Sequence, residues 1–511
     1  MWISLLLSVA AALILIPVIR QVIYTIISKY RLKFYEQQGI PTHYSALMGQ
    51  AAIFSKSHPE NASRSCLEHV KKISNQADDK GILATNIAMK NGAVGLYIYN
   101  SDLVKEFLLK EDSLQKIRQI KLTDHNMLGL FLMDGEEMMK QKSLFMKIFR
   151  YEGIEGFVPR MCKIIQQCFE EFNQKHRIVN DKATKINLDD LFKPIMKRIT
   201  NLLMFDTEVF EAESREERLH KLFEDFINLF GTMPKNPILL LWPSLAIKLG
   251  LTSRVRKLNN IADEQSRILE DILKERQLKS KLGECIIDRI AEHNKECKEK
   301  GKETEIMTKE EVMGNFNLFL LAGTDTSQNT TKMALCHMAD KPELKAIVEI
   351  INNEIYGSEG QTTTAKMDSN ETLTLWVKEA LRMHSPVPRL SMRTAIKDIT
   401  IGKYHVRNGD IVILLPSAMN FSDTHFKNPE QFDINRFKKD REKELPRYQY
   451  IPFSVGRRNC LGRYLGEAMV KLLVTQFCRT YTFEKPVDTE YYIDISFTLG
   501  VKEPLVNLTL K

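Results

Sequence analysis

Phe453-Ser454-Val455-Gly456-Arg457-Arg458-Asn459-Cys460-Leu461-Gly462 gathers a thiol, two guanidinium groups and two glycines into one short loop. From Leu461 to about Cys478 the residues have helical spacing, which predicts Cys460 at a helix N-terminus. Free amides and the helix dipole there stabilise an anionic sulfur. Gly462 leaves room for a flat ligand to approach the backbone, and Gly456 permits a positive φ. Arg458 can meet an acidic group on that ligand, and Phe453 can shield the sulfur from water. A thiolate that ligates iron needs such surroundings, so Cys460 is the candidate metal ligand. A buried structural cysteine beside a turn is the plainer alternative.

Upstream, Thr308-Lys309-Glu310-Glu311 reads as a capping box, and a long helix is expected from there to about Ala339. In its middle lies Ala322-Gly323-Thr324-Asp325-Thr326. Thr326 can turn its hydroxyl onto a carbonyl one turn back, loosening the helix and offering a proton donor. Asp325 can feed protons to the same place, and Gly323 removes a side chain where the helix would face a flat ring. Glu379 and Arg382 fall on one helix face. That spacing is weak on its own, because Glu264/Arg267 and Glu444/Arg447 share it. After residue 393 the pattern turns to short β-rich runs at Ile399–Ile401, Tyr404–Val406 and Ile411–Leu415, separated by turns at Gly402 and Asn408-Gly409. The fold class is therefore mainly α with small β-sheets, an α+β mixture weighted to helix.

With 43% hydrophobic and 27% charged residues in 511, the chain has the composition of a packed globular protein. A net charge of +8 falls short of a nucleic-acid-binding signature, so no nucleic-acid partner is expected. None of the eight cysteines forms a CxxC pair or has zinc spacing with histidine, which excludes a disulfide scaffold and a zinc module. Residues 2–19 carry no charge, and basic residues follow at Arg20, Lys29, Arg31 and Lys33. This reads as a retained membrane anchor with the body on the cytosolic side. A cleaved signal peptide would want a basic residue ahead of the apolar run. The expected division is an anchor over 1–28, a linker over 29–45 and a catalytic domain over 46–511.

With these motifs in this order, the chain resembles the cytochromes P-450 of the eukaryotic microsomal type, the heme-thiolate monooxygenases. The loop around Cys460 matches their heme-binding signature at every fixed position, and the likeness covers nearly the whole chain. It implies a single large P-450 domain with an N-terminal transmembrane helix. It implies heme b (iron protoporphyrin IX) with Cys460 on the iron, and cofactor contacts from Arg458, Arg393, Lys142, Phe453, Gly456, Gly462 and Gly323. Thr326 and Asp325 are the implied catalytic residues, and Glu379, Arg382 and Arg436 an implied structural set beneath the cysteine loop. The implied reaction inserts one oxygen atom of O2 into a lipophilic substrate. Electrons come from NADPH-cytochrome P-450 reductase, with cytochrome b5 as an optional second donor. The implied location is the endoplasmic reticulum membrane, single-pass, with the catalytic domain facing the cytosol. The implied pocket is lined by Leu318, Phe319, Ala322, Val387, Leu390, Phe497 and Leu499, roofed by Met127 to Leu132, with Pro237 to Leu249 dipping into the membrane. The implied donor-docking face holds Lys140, Lys142, Lys147, Arg150, Arg457 and Arg463. One departure stands out: Met138 and Lys142 occupy places where the family usually has Trp and a basic residue, commonly Arg. A heme-thiolate isomerase or dehydratase needing no reductase is the alternative enzyme, and the intact Thr326 argues against it. A non-catalytic membrane-anchored heme or lipid carrier is a further alternative.

Overall fold

The structure is a computed structural model. It describes residues 2–511 apart from 46–79, 88–91, 117–126, 179–182, 208–213, 233–246, 248, 280–281, 342, 357–361 and 496–497. Cys66, Phe497 and most of the expected membrane-dipping stretch Pro237 to Leu249 thus lie outside the described residues.

The fold is mostly helical with small sheets. Helix α1 (Trp2–Glu36) is followed by α2 (Gly135–Phe149), α3 (Asp189–Phe205), α4 (Ser253–Gln277), α5 (Lys309–Asp340), α6 (Glu371–Met383) and α7 (Arg463–Thr480), with further helices between them. The expected capping box is present at the start of α5. Thr308 Oγ1 accepts from the Glu311 amide at 3.2 Å, and the Glu311 carboxylate accepts from the Thr308 amide at 2.7 Å. At 32 residues, α5 extends about 48 Å and crosses the core. It packs on α3, α4 and α7. Buried Asn317 exchanges two hydrogen bonds with Gln265 of α4, at 2.9 and 3.0 Å, which fixes the register of that pair.

Strands β1 (Thr42–His43), β2 (Ile82–Asn86), β3 (Val94–Ile98), β4 (Leu114–Lys116), β5 (Leu390–Ala395) and β6 (Ile411–Leu414) form one sheet in the order β1-β2-β3-β6-β5-β4. Pairing is parallel for β1/β2 and β3/β6 and antiparallel elsewhere. In β4 against β5, Lys116 stands directly opposite Arg393. The short runs at Ile399–Ile401 and Tyr404–Val406 pair as expected, with Gly402 at φ +57 in the turn.

Helix α1 does not stop where the anchor was expected to end. It continues to Glu36, and it buries Leu32 and Tyr35 against the sheet. Asp410, fully buried just before β6, accepts from Arg31 at 2.6 Å, from the Tyr35 hydroxyl at 2.6 Å and from the Val94 amide at 2.8 Å. Much of the expected linker 29–45 is therefore helix docked on the body. The side chains of residues 1–14, 17 and 18 lie outside the described ones, and among the described residues no helix is long and apolar enough to cross a membrane.

Candidate functional site

The cysteine loop is closed by a bond from the Cys460 amide to Phe453 O, at 2.8 Å. Ser454 and Gly456 both take positive φ, +59 and +76, which turns the chain back on itself. A Cβ added at Gly456 would lie 2.3 Å from Glu111 Oε1 and 2.8 Å from Leu108 Cδ2, so glycine is needed for both space and conformation. Helix α7 starts with Gly462 as its N-cap, so Cys460 sits just ahead of the first turn. An added Cβ at Gly462 would meet nothing within 4 Å. The Phe453 ring lies 3.5 Å from the Cβ position of Gly466 and carries Arg463 at 5.8 Å.

Cys460 is accessible, whereas every other free cysteine among the described residues is buried. Protein nevertheless surrounds it closely enough that burial pushes its thiol pKa up, against a Gly462 amide and the Lys142 charge that pull it down. Both facts hold for a side chain facing an internal cleft. Across from α7, Ala322 is exposed in the middle of α5, a helix otherwise largely buried. Ser327 of α5 reaches 3.9 Å from the Cβ position of Gly466. The two helices therefore pack closely near Gly466.

On α5, Thr326 Oγ1 donates to Ala322 O at 2.8 Å, as its position led one to expect, yet the helix runs unbroken. Asp325 accepts from Gln328 Nε2 at 3.1 Å, and burial raises its pKa. Lys332 and Lys193 act against that rise. Lys332 is a buried ammonium paired with Asp189 at the start of α3, which also holds Lys193 at 3.2 Å. Sequence reasoning missed Lys332, because nothing in its neighbours marks the distant Asp189 as its partner. Gly323 packs near Thr200 of α3. Its absent Cβ would sit 3.8 Å from Thr200 Cγ2 on α3, so its bare side faces a helix, and the small residue that opens α5 is Ala322.

The cationic edge of the cleft contains Arg458, Arg393 and Lys116. Arg458 donates to Asp134 Oδ1 at 2.8 Å and to Leu130 O at 3.2 Å. Buried Arg393 donates to Met392 O at 2.9 Å, and its pKa is lowered to about 10 by burial and by Arg458. Burial, Arg393 and Arg458 bring Lys116 down to about 7, against Asp134. Repelling cations held together in a poorly solvated place are suited to a ligand with carboxylates.

Lys142 makes its hydrogen bonds within the cysteine loop. It was expected on a cofactor carboxylate. Instead its buried ammonium donates to Arg457 O at 2.7 Å, Asn459 O at 3.1 Å and Asn459 Oδ1 at 2.6 Å. Its three protons are thus used within the cysteine loop, and Met138 is buried beside it on α2. Lys140, Lys147, Arg150, Arg457 and Arg463 remain on the surface, with Arg457 paired to Asp112 and Arg463 to Glu467.

Beneath the loop, the expected structural set is assembled. Glu379 accepts from Arg382 Nε and Nη2, both at 2.8 Å, from Arg436 Nε at 3.2 Å and from the Asp433 amide at 2.9 Å. Arg382 also donates to Asn420 O, and Arg436 to Lys427 O and Asn428 O. These bonds pin the chain between 420 and 436. Tyr450, whose hydroxyl donates to Lys378 O at 2.8 Å, then leads it into the cysteine loop. The rival pair Glu264/Arg267 is different, since Glu264 binds Arg218.

A thiol facing a cleft, opposite a helix opened at Ala322 and edged by cations, is an arrangement suited to a heme-thiolate protein. The chain belongs to the cytochrome P450 family, whose model matches residues 90–510. That family holds heme b through a cysteine thiolate. The chain is 27% identical over 423 residues to "Cytochrome P450 6a8" of Drosophila melanogaster, covering 80% of this chain and 82% of the relative. It is 25% identical over 325 residues to "Desmethyl-deoxy-podophyllotoxin synthase" of Sinopodophyllum hexandrum, spanning 62% of each, less than two thirds of that relative's length. The crystal structure of the cytochrome P450DA heme domain superposes with a TM-score of 0.74 at 19% identity, over 92% of this chain and 97% of that one, a likeness of fold.

Proposed function

We propose that the chain is a heme-dependent monooxygenase that inserts one oxygen atom of O2 into a lipophilic substrate, using electrons from an NADPH-dependent reductase. The observation that carries this reading is the accessible Cys460 thiol, ahead of a helix that packs on α5, the helix that carries exposed Ala322 and the Thr326 hydroxyl. When bound, heme supplies oxygen activation at a thiolate-ligated iron. The chain's own groups do the rest. Cys460 is the iron ligand, held by the Phe453 carbonyl, the Gly462 amide and the loop that Lys142 tethers. Phe453, Gly456 and Gly462 shape that loop. Arg458 and Arg393 bind the cofactor carboxylates.

Thr326 keeps its hydroxyl at the cleft and holds or hands on a proton there. Asp325, protonated more readily than an exposed carboxyl, replenishes it. The apolar residues Leu318, Val387, Leu390 and Leu499 receive the substrate. The exposed cations Lys140, Lys147, Arg150, Arg457 and Arg463 face an acidic electron donor, NADPH-cytochrome P-450 reductase with cytochrome b5 as a second. The apolar run of α1 over residues 2–19 anchors the chain in the endoplasmic reticulum membrane, single-pass, with its body in the cytosol.

The test is optical. The full chain, loaded with hemin, reduced and exposed to carbon monoxide, should give the red-shifted Soret band of a thiolate ligand, and Cys460→Ser should lose it. A parent band typical of a histidine ligand, or a Cys460→Ser band equal to the parent's, overturns the reading.

A further inference from the structure

Two asparagines of α5 each fasten a neighbouring element to that helix. Asn315 is fully buried. Its Oδ1 accepts from the Leu130 amide at 2.9 Å, and its Nδ2 donates to Gln141 Oε1 at 2.9 Å. Gln141 in turn donates to Glu311 Oε1 at 2.6 Å. Leu130 belongs to the helical turn Gly129–Leu132, the segment expected to roof the pocket. That turn is pressed on α5 as closely as backbone allows. A Cβ at Gly129, which has φ +38, would lie 2.5 Å from the Asn315 backbone N and 2.7 Å from Gly314 C. Further along α5, Asn329 Nδ2 donates to Thr498 Oγ1 at 2.8 Å. Its amide lies flat against Gly500, where an added Cβ would come within 2.9 Å of Asn329 Oδ1. Thr498 immediately precedes the strand Leu499–Lys502, which pairs with Tyr492–Ile495 in a hairpin. The Leu499 amide donates to Pro386 O at 2.8 Å, which fastens the hairpin on a second side.

Ala322 lies seven residues from each asparagine. Seven residues are nearly two helical turns, so Asn315, Ala322 and Asn329 share one face of α5. Between the two asparagines α5 is accessible at Leu318, Phe319 and Ala322 to Thr326, and the flanking stretches 312–317 and 327–328 are buried. A ligand lying along this face has about 10 Å of helix on either side of Ala322 before it meets a fastened element.

We propose that Asn315 and Asn329 are positioning residues that set substrate length: they hold the roof and the hairpin closed at the two ends of the pocket along α5. The substrate is then a compact lipophile held between them, not a long-chain one that trails past either end. The proposal rests on the monooxygenase reading above. Both fastenings are hydrogen bonds in a poorly solvated place. A ligand that pushed either element aside would leave a polar group unpaired, and that cost exceeds the gain from burying one more methylene.

The experiment titrates the full-length, hemin-loaded protein with 1-alkylimidazoles from butyl to hexadecyl, read by the Soret shift of a nitrogen on iron. Each buried methylene adds about four-fold in affinity, so the parent's affinity should climb through octyl and then level or fall at dodecyl and hexadecyl. The readout is the dodecyl-to-butyl affinity ratio, because a variant that only loosens the fold weakens all chain lengths alike. Asn329→Ala should raise that ratio about ten-fold or more, as the freed hairpin lets further methylenes in. Asn329→Asp should keep the parent's ratio, since a carboxylate still accepts from the Thr498 hydroxyl. Asn315→Ala should raise the ratio from the roof end. Where Asn315→Ala fails to fold, Gln141→Ala, which removes the acceptor of the Asn315 amide, takes its place with the same expectation. Asn370→Ala, which removes a helix cap elsewhere, should leave the ratio unchanged. A parent affinity that climbs without a break to hexadecyl, or ratios that stay at the parent's value in Asn329→Ala and in the roof variant, overturns the proposal. A parent that binds hemin without a thiolate spectrum overturns the heme-thiolate reading and, with it, the proposal.

Discussion

Replacing Lys142 by methionine isolates what its ammonium does for the cysteine loop. The substitution keeps most of the stem and removes the donor to Arg457 O, Asn459 O and Asn459 Oδ1. A hydrogen bond from a charged group contributes about 1.5–3 kcal/mol net. Arg457 and Asn459 are themselves exposed, so water can reach part of what the ammonium leaves behind. Burial already lowers the pKa of Lys142, so removing it also recovers some desolvation cost. These offsets bring the expected loss to about 2 kcal/mol in all. Unfolding entropy near 2.1 cal/mol/K per residue gives roughly 1 kcal/mol/K for 511 residues, so the thermal midpoint should fall by only about 2 °C. Local opening of the loop is the sensitive readout. If opening becomes easier by about 2 kcal/mol, the carbon-monoxide complex should convert from its thiolate form to its inactive form about 30-fold faster. The measurement is the decay of the long-wavelength Soret band under mild heating. A decay within three-fold of the parent would refute the tether. A variant that decayed normally but released hemin quickly, and not its dimethyl ester, would return Lys142 to the carboxylates.

Glu379→Gln leaves buried Arg382 and Arg436 without their carboxylate. Breaking a buried pair costs about 3–5 kcal/mol, and the thermal midpoint should drop by about 3–5 °C, measured by scanning calorimetry. An unchanged midpoint would show that the set is not structural. Thr326→Ala should retain hemin with a thiolate spectrum while diverting reductant to peroxide, measured as peroxide formed per NADPH consumed; unchanged coupling removes Thr326 from proton handling. For Asp325 the sign follows from its raised pKa. The folded state then binds its proton more readily than the unfolded chain, so the parent loses stability as pH rises from the ordinary carboxylate range through the raised value. Asp325→Asn should remove that loss, making stability curves of parent and variant diverge above the ordinary range and converge below it. Parallel curves throughout contradict a buried, reluctantly ionised Asp325.

What could be read in the sequence was short-ranged. The box at Thr308 and Glu311, the turn at Gly402, and the Phe453–Gly462 loop each declare their geometry within a few residues. The Glu379/Arg382 pair declared itself only once Arg436 and the position in the chain were added, since Glu264/Arg267 has the same spacing and another partner. Long-range choices were hidden. Lys142 lies 315 residues from Arg457, and its own helix offers no sign that it turns to that carbonyl. Arg458 is 324 residues from Asp134. Lys116 becomes meaningful only when β4 pairs with β5 and sets it opposite Arg393. The nearness of Gly323 to Thr200 of α3 was hidden for the same reason: periodicity locates residues around a helix axis but does not say which neighbour each face meets.

The clasp at Asp410 changes how a membrane would act on this protein. A flexible tether would let the body tumble beneath its anchor. Here 35 residues run as one helix, about 52 Å at ~1.5 Å per residue, and its far end is locked to the sheet through Arg31 and Tyr35. Asp410 immediately precedes β6, which pairs with the strand carrying Arg393. With residues 1–28 in a bilayer, as proposed above, the tilt of the helix would become the tilt of the body. Tilt answers to bilayer thickness, so the depth from which a lipophilic molecule enters is set by the lipid as well as by the pocket. Moving the same chain between thin and thick membranes then becomes a way of changing which substrates it meets.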